Sequence, residues 1–185
     1  MKKYFWFLVL LPVIGILAMR NNTAVENSHS NKTLKWYSWK EAVELNKKSP
    51  RKLLVDVYTD WCGWCKKMDA STFPNDTIAD YLNKHFYCVK FDAEGQDTIY
   101  FSGRAFTWVS PEKSGGSRGI HELAYALLDG RLGYPSIVYL NEKFERIIVS
   151  PGYKTPAELL PEIRFAAEEI YKTKSWEEFK NSKAP

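Results

Sequence analysis

Two cysteines three residues apart, Cys62 and Cys65, stand almost directly behind the apolar run Lys52–Tyr58 (KLLVDVY). A short run of branched and apolar residues reads as a buried strand. The sequence from Trp61 to Lys66 then reads as a turn entering a helix, so the first cysteine falls at a helix start. This junction constrains the fold and its chemistry together. A helix start offers several unpaired N–H groups and the positive end of the helix dipole, and both favour a thiolate over a thiol. Two intervening residues, Gly63 and Trp64, put the second sulfur one turn further in. There it can displace the first from a mixed disulfide. Cys62 is therefore the candidate nucleophile and Cys65 the candidate resolving thiol.

Around the junction the pattern alternates between strand and helix. Ser38-Trp39-Lys40-Glu41 has the form of a capping box and predicts a helix over 39–48. Asn75 or Asp76 can cap another helix, with Ile78, Leu82 and Phe86 at helical spacing. Phe86–Asp92 (FYCVKFD) predicts a second buried strand, which completes a βαβ unit and a parallel pair. Residues 93–119 are glycine-rich and carry Tyr100, Phe101, Phe106 and Trp108, with Ser102-Gly103 as a hairpin turn and SPEKSGGSRG as a loop. A connection this long in a compact domain is often functional, although packing is the favoured role for its four aromatics. Ile120–Leu128 predicts a helix. Residues 135–140 and 144–149 predict an antiparallel hairpin. Thr155-Pro156-Ala157-Glu158 predicts a helix to about Lys172 with a kink at Pro161, and 175–180 a last short helix.

Charge and cysteine usage exclude several classes. With Lys2, Lys3 and Arg20 set aside, the remaining bases and the 22 acids nearly cancel, so there is no nucleic-acid footprint. Three cysteines are too few for a disulfide-stapled secreted scaffold. A zinc site needs four ligands, and beyond the pair only Cys88, His29, His85 and His121 are on offer, with no second knuckle. Lys66 follows Cys65 where c-type haem attachment needs histidine. No metal site is expected. Cys88, inside a strand, reads as a small core hydrophobe, and the histidines as linker, structural or surface groups. Lys2 and Lys3 precede an uncharged apolar stretch over 4–19, a signal peptide or uncleaved anchor, and 21–35 reads as a linker to a domain over 36–185. The expected location is periplasmic or otherwise extracytoplasmic, where disulfides persist, with anchoring to the inner membrane by 4–19 an open alternative to cleavage.

The stretch Leu54–Lys66 resembles the active-site strand and turn of the thioredoxin superfamily. The resemblance spans roughly residues 36–171. It implies the thioredoxin fold: a three-layer α/β/α arrangement around a mixed central sheet, here with an insertion over 93–119 before the cis-proline strand. It places the family's buried acid on Asp56, its preceding tryptophan on Trp61, its next-strand lysine on Lys90 and its cis-proline on Pro135. A carboxylate inside an apolar strand is costly to ionise, which suits Asp56 as proton acceptor for Cys65. Lys90 would modulate Asp56. A cis bond before Pro135 would set the Tyr134 backbone beside Cys62 to pair with an extended substrate. Trp61 and Trp64 would form an apolar rim. Trp64 stands where thioredoxins usually carry proline, so the redox poise should differ. The insertion and its flanks resemble a branch of exported bacterial thioredoxin-like proteins.

These features point to a thiol–disulfide oxidoreductase with no cofactor beyond the Cys62–Cys65 disulfide. Its expected partners are disulfide-containing proteins as substrates and a membrane or periplasmic thiol donor that re-reduces it. Reduction is the favoured direction, because no histidine stands between the cysteines to stabilise the thiolate further. A thioredoxin-fold peptide-binding or chaperone module and a metal-handling protein are the alternatives.

Overall fold

The computed structural model describes residues 33–182. The expected leader, most of the linker and His29 lie outside the described residues. The chain runs through β1 (Trp36–Tyr37), α1 (Trp39–Lys48), β2 (Lys52–Tyr58), α2 (Gly63–Ser71), α3 (Asp76–His85) and β3 (Phe86–Asp92). The capping box at α1 forms as expected: Ser38 Oγ accepts from the Glu41 N–H, and the Glu41 carboxylate accepts from the Ser38 N–H. The insertion holds β4 (Ile99–Phe101), β5 (Arg104–Phe106), β6 (Trp108–Val109) and α4 (Pro111–Ser114). Then come β7 (Ile120–His121), α5 (Glu122–Leu127), β8 (Ser136–Leu140), β9 (Arg146–Pro151), α6 (Pro156–Ala167) and α7 (Trp176–Asn181). Among the described residues no helix is long and apolar enough to cross a membrane.

Five strands form one sheet in the order β1-β3-β2-β8-β9. The pairs β1–β3 and β2–β3 are parallel, and β2–β8 and β8–β9 are antiparallel, so the sheet is mixed. Side chains alternate across a strand, and β2 shows why its run is almost continuously apolar. Leu53, Val55 and Val57 pack with α1 and α5 on one face, and Leu54 packs with α2, α3 and α6 on the other. A strand covered on both faces has no position to give to solvent. The protein therefore has the three-layer thioredoxin fold, with Asp56 on the face that α2 covers.

Several boundaries differ from the sequence reading. Ile120-His121 is a strand rather than the first turn of a helix. The His121 N–H donates to Ala93 O, β7 pairs with β6, and the His121 ring caps α5 by accepting from the Leu123 N–H. These long-range pairs override the local helical pattern. The second strand of the last hairpin begins at Arg146 rather than 144. Phe144 has φ 63° and Asn141 Oδ1 gathers the N–H groups of Lys143 and Glu145, which keeps those residues in the turn. Helix α6 runs unbroken past Pro161 and stops at Ala167. Glu169 takes a left-handed φ of 60° and ion-pairs with the buried Lys52, and a 3₁₀ turn follows over Ile170–Lys172.

The β6–β7 pairing lays the Trp108 ring over Gly119, where an added Cβ would sit 2.1 Å from Cζ2. Gly119→Ala must push this ring aside, an overpacking cost of about 1–3 kcal/mol, read as a lower urea midpoint. Gly63→Ala, with nothing within 4 Å of the added carbon, is the control and should leave the midpoint the same or higher. Equal midpoints in the two variants would show that the ring is not held there.

Candidate active site

Cys62 is the N-cap of α2 and Cys65 lies in its first turn. The Cys62 N–H donates to Thr59 O (3.1 Å), and the Cys65 N–H donates to Cys62 Sγ (3.1 Å). The first sulfur thus accepts from one of the N–H groups that a helix start leaves unpaired. The two cysteines are joined in a disulfide, with Cα atoms 5.3 Å apart. Both are buried, at 4% and 2% exposure, while Trp61 before them and Trp64 between them are half exposed.

The two tryptophans are anchored differently. Trp61 meets Tyr134 edge to face at 6.0 Å, donates from Nε1 to Glu94 (2.9 Å), and carries the Arg118 guanidinium over its ring at 5.0 Å. Trp64 packs on Tyr153 at 5.4 Å, with Lys67 over both rings. The Tyr134–Pro135 bond is cis. Ser136, the next residue, stands opposite Val57 in the sheet, so the proline turn lies at the end of the sheet from which β2 leads toward the cysteines. Tyr134 and Pro135 are therefore grouped with the disulfide by topology and through the Trp61 ring.

Asp56 is 1% exposed. Its Oδ2 accepts from Lys90 Nζ at 2.6 Å, and its buried Oδ1 has no hydrogen-bond partner among the described residues. Burial pushes the carboxyl up from 3.8 to about 6, with repulsion from Asp69 added and the pull of Lys90 opposing. Lys90 is shared: it also ion-pairs with Asp69 on α2 and lies over the Tyr58 and Trp36 rings at 4.9 and 5.1 Å. Burial works against its charge, but Asp56 and Asp69 outweigh this and raise its pKa. Sequence reasoning found Asp56 and Lys90 and missed Asp69, Glu94, Arg118, Lys67 and Tyr153. Of these, Asp69 had a usable signal, since it lies one helical turn beyond Cys65.

The other candidates fall away from this centre. Cys88 is fully buried among α3 and α6 side chains, and burial pushes its thiol well up. His121 is buried, with Nε2 against Asp97 O at 2.9 Å, and the His85 ring stacks on Tyr81. Phe101 packs on Trp39 and Phe144, whereas Tyr100 is exposed. Among the described residues no group of three or more histidine, cysteine, aspartate or glutamate side chains could hold a metal ion.

Residues 18–116 match the family described as Thioredox_DsbH, a protein of unknown function, DUF255. Spermatogenesis-associated protein 20 of mouse is 33% identical over 92 residues, which is 48% of this chain and 11% of that protein. The human protein of the same name is 25% identical over 158 residues, 83% of this chain and 17% of its own length. The chain thus spans only a small part of these curated relatives. Among solved structures, a DsbH oxidoreductase matches with a TM-score of 0.52 at 17% identity, covering 74% of this chain and 85% of the other. A thioredoxin from Thermus thermophilus matches at 0.53 and 22%, covering 71% and 85%. These two likenesses speak to the fold. The matched stretch takes in β1, the cysteine pair, Asp56 and Lys90 and covers more than half of the sequence, so the chain belongs to the DsbH-type thioredoxin family, DUF255.

Proposed function

We propose that this protein is an extracytoplasmic thiol–disulfide oxidoreductase that reduces protein disulfides through Cys62 and Cys65. The observation that carries the reading is the first sulfur at the N-cap of α2, bonded to a second sulfur one turn inward, on a sheet that also buries Asp56. In the reduced form the Cys62 thiolate attacks a substrate disulfide. One Cys–S bond to the substrate forms, the substrate S–S bond breaks, and the first substrate sulfur leaves as a thiolate. Cys65 passes its proton to Asp56 and attacks Cys62 Sγ, which forms the enzyme disulfide and releases the second substrate thiolate. Two electrons have moved from enzyme to substrate, and a dithiol donor must return them. Residues 4–19, apolar behind Lys2 and Lys3, support export.

A single preparation tests location and chemistry. The full chain expressed in bacteria should be recovered in the periplasmic or the membrane fraction. The purified protein with dithiothreitol as donor should precipitate insulin by reducing its disulfides, and Cys62→Ser should return the rate to that of dithiothreitol alone. Recovery from the cytosol would remove the location, and equal rates for the two proteins would remove the enzyme reading.

A further inference from the structure

The chemistry above uses no residue of the insertion, which reaches the cysteine rim through Glu94 and Arg118 on Trp61. Yet the insertion and α5 together wall a cleft of about 670 Å³ whose opposite side is the cysteine rim itself, because Trp61 and Tyr134 both line it. That volume lies within the ordinary range of binding pockets. Five large hydrophobic side chains stand exposed among the described residues, and three of them, Trp61, Tyr125 and Leu132, line this one cleft. Exposed apolar side chains scattered singly need no explanation, whereas a concentration in one concave surface marks an interaction site. The charges at the cleft are already matched. Arg118 lies 3.9 Å from Glu94, and Arg104 lies 3.4 Å from Glu122. Glu122 is further committed to the Thr107 N–H at 2.8 Å. The surface therefore offers apolar area and no net charge, so apolar burial is the main gain it offers a ligand.

Resting on the reading of Cys62 as the attacking thiol, we propose that this cleft docks an uncharged, apolar stretch of the substrate chain next to the cysteine that Cys62 attacks. Two observations select this occupant. Trp61 and Tyr134 belong to both the rim and the cleft, so a chain whose sulfur is at Cys62 enters the cleft without leaving the rim. The paired charges leave apolar burial as the gain. Under this proposal the insertion sets substrate preference, while the cysteine pair sets the chemistry.

The test is a single-turnover competition. The full chain is reduced with dithiothreitol, freed of it, and mixed with two synthetic peptides, each closed by one disulfide. One carries leucine and phenylalanine beside the cysteine, and the other carries aspartate and lysine there. The readout is the ratio of the two second-order rate constants, so a general loss of activity cancels. The wild type should favour the apolar peptide by about tenfold. Leu132→Asp and Tyr125→Ser change exposed side chains that are not needed for the core, and each should bring the ratio to about one. A wild-type ratio near one, or an unchanged ratio in both variants, overturns the proposal. A dimer that separates in Leu132→Asp overturns it too, because a second copy would then be the occupant. If the wild type reduces neither peptide nor a small aromatic disulfide, the reading of Cys62 itself fails, and that failure is visible before any ratio is taken.

Discussion

Cys65→Ser should stop the exchange at the covalent intermediate. The variant keeps Cys62 at the N-cap of α2, where the N–H of residue 65 points at its sulfur, so the attack on substrate survives. The second displacement has no thiol to perform it. Substrate should accumulate as an adduct that survives denaturing electrophoresis, releases with dithiothreitol, and approaches one equivalent, while multiple-turnover reduction falls by several orders of magnitude. Cys62→Ser should give no adduct. Burial does not assign these roles, since the two cysteines differ by only 4% against 2% exposure in the oxidised pair. The expectation rests on position on the helix, because the N-cap sulfur receives both an amide hydrogen bond and the positive end of the dipole. If Cys62→Ser traps substrate and Cys65→Ser does not, the roles are reversed.

Asp56→Asn should raise stability and lower activity together. A carboxyl raised from 3.8 to about 6 in the fold binds its proton more tightly folded than unfolded. The folded state is therefore favoured at acid pH and loses that advantage as the pH rises from 3.8 through 6. The loss amounts to about 3 kcal/mol above pH 7, and asparagine, which does not titrate, avoids it. Lys90 keeps Asp69 as a partner in the variant. Denaturant midpoints should show the variant gaining on the wild type as the pH climbs from about 4 to 7.5. A gap independent of pH would show that Asp56 does not titrate in that window. Activity moves the other way. With the proton acceptor gone, the resolving step should slow by about a hundredfold or more. The wild-type rate should fall as the pH drops through about 6, where Asp56 becomes protonated, and the variant should lack that limb.

Much of the site was legible because its signals are local. Seven residues of KLLVDVY announce a strand covered on both faces, and the one charged residue in its middle is conspicuous for the cost of burying it. The cysteine spacing needs only helix geometry to place two sulfurs together. Ser38 and Thr155 mark helix starts through partners three residues away. The fold class, the sulfur pair, Asp56 and the proline turn all came from windows of this size or from the resemblance they support.

What remained hidden depends on pairs distant in the chain. The two-residue strand β1 exists because it adds to β3, opposite Cys88 and Val89. Ile120-His121 leaves its helical pattern because Trp108 and Val109 pair with it across the insertion loop. Glu169, two residues past the end of α6, meets a lysine 117 residues earlier. Glu94 and Arg118 look like ordinary solvated charges in the sequence, and only the folded chain sets them on Trp61; Asp69 is one helical turn beyond Cys65, but only the fold sets it beside Lys90. By itself the sequence determined where the longer strands and helices arise and which two sulfurs pair, since propensity, capping and periodicity act over a few residues. Tertiary structure alone decided which charges meet and what walls the cleft, since those contacts exist only after chain segments far apart have been brought within a few ångströms.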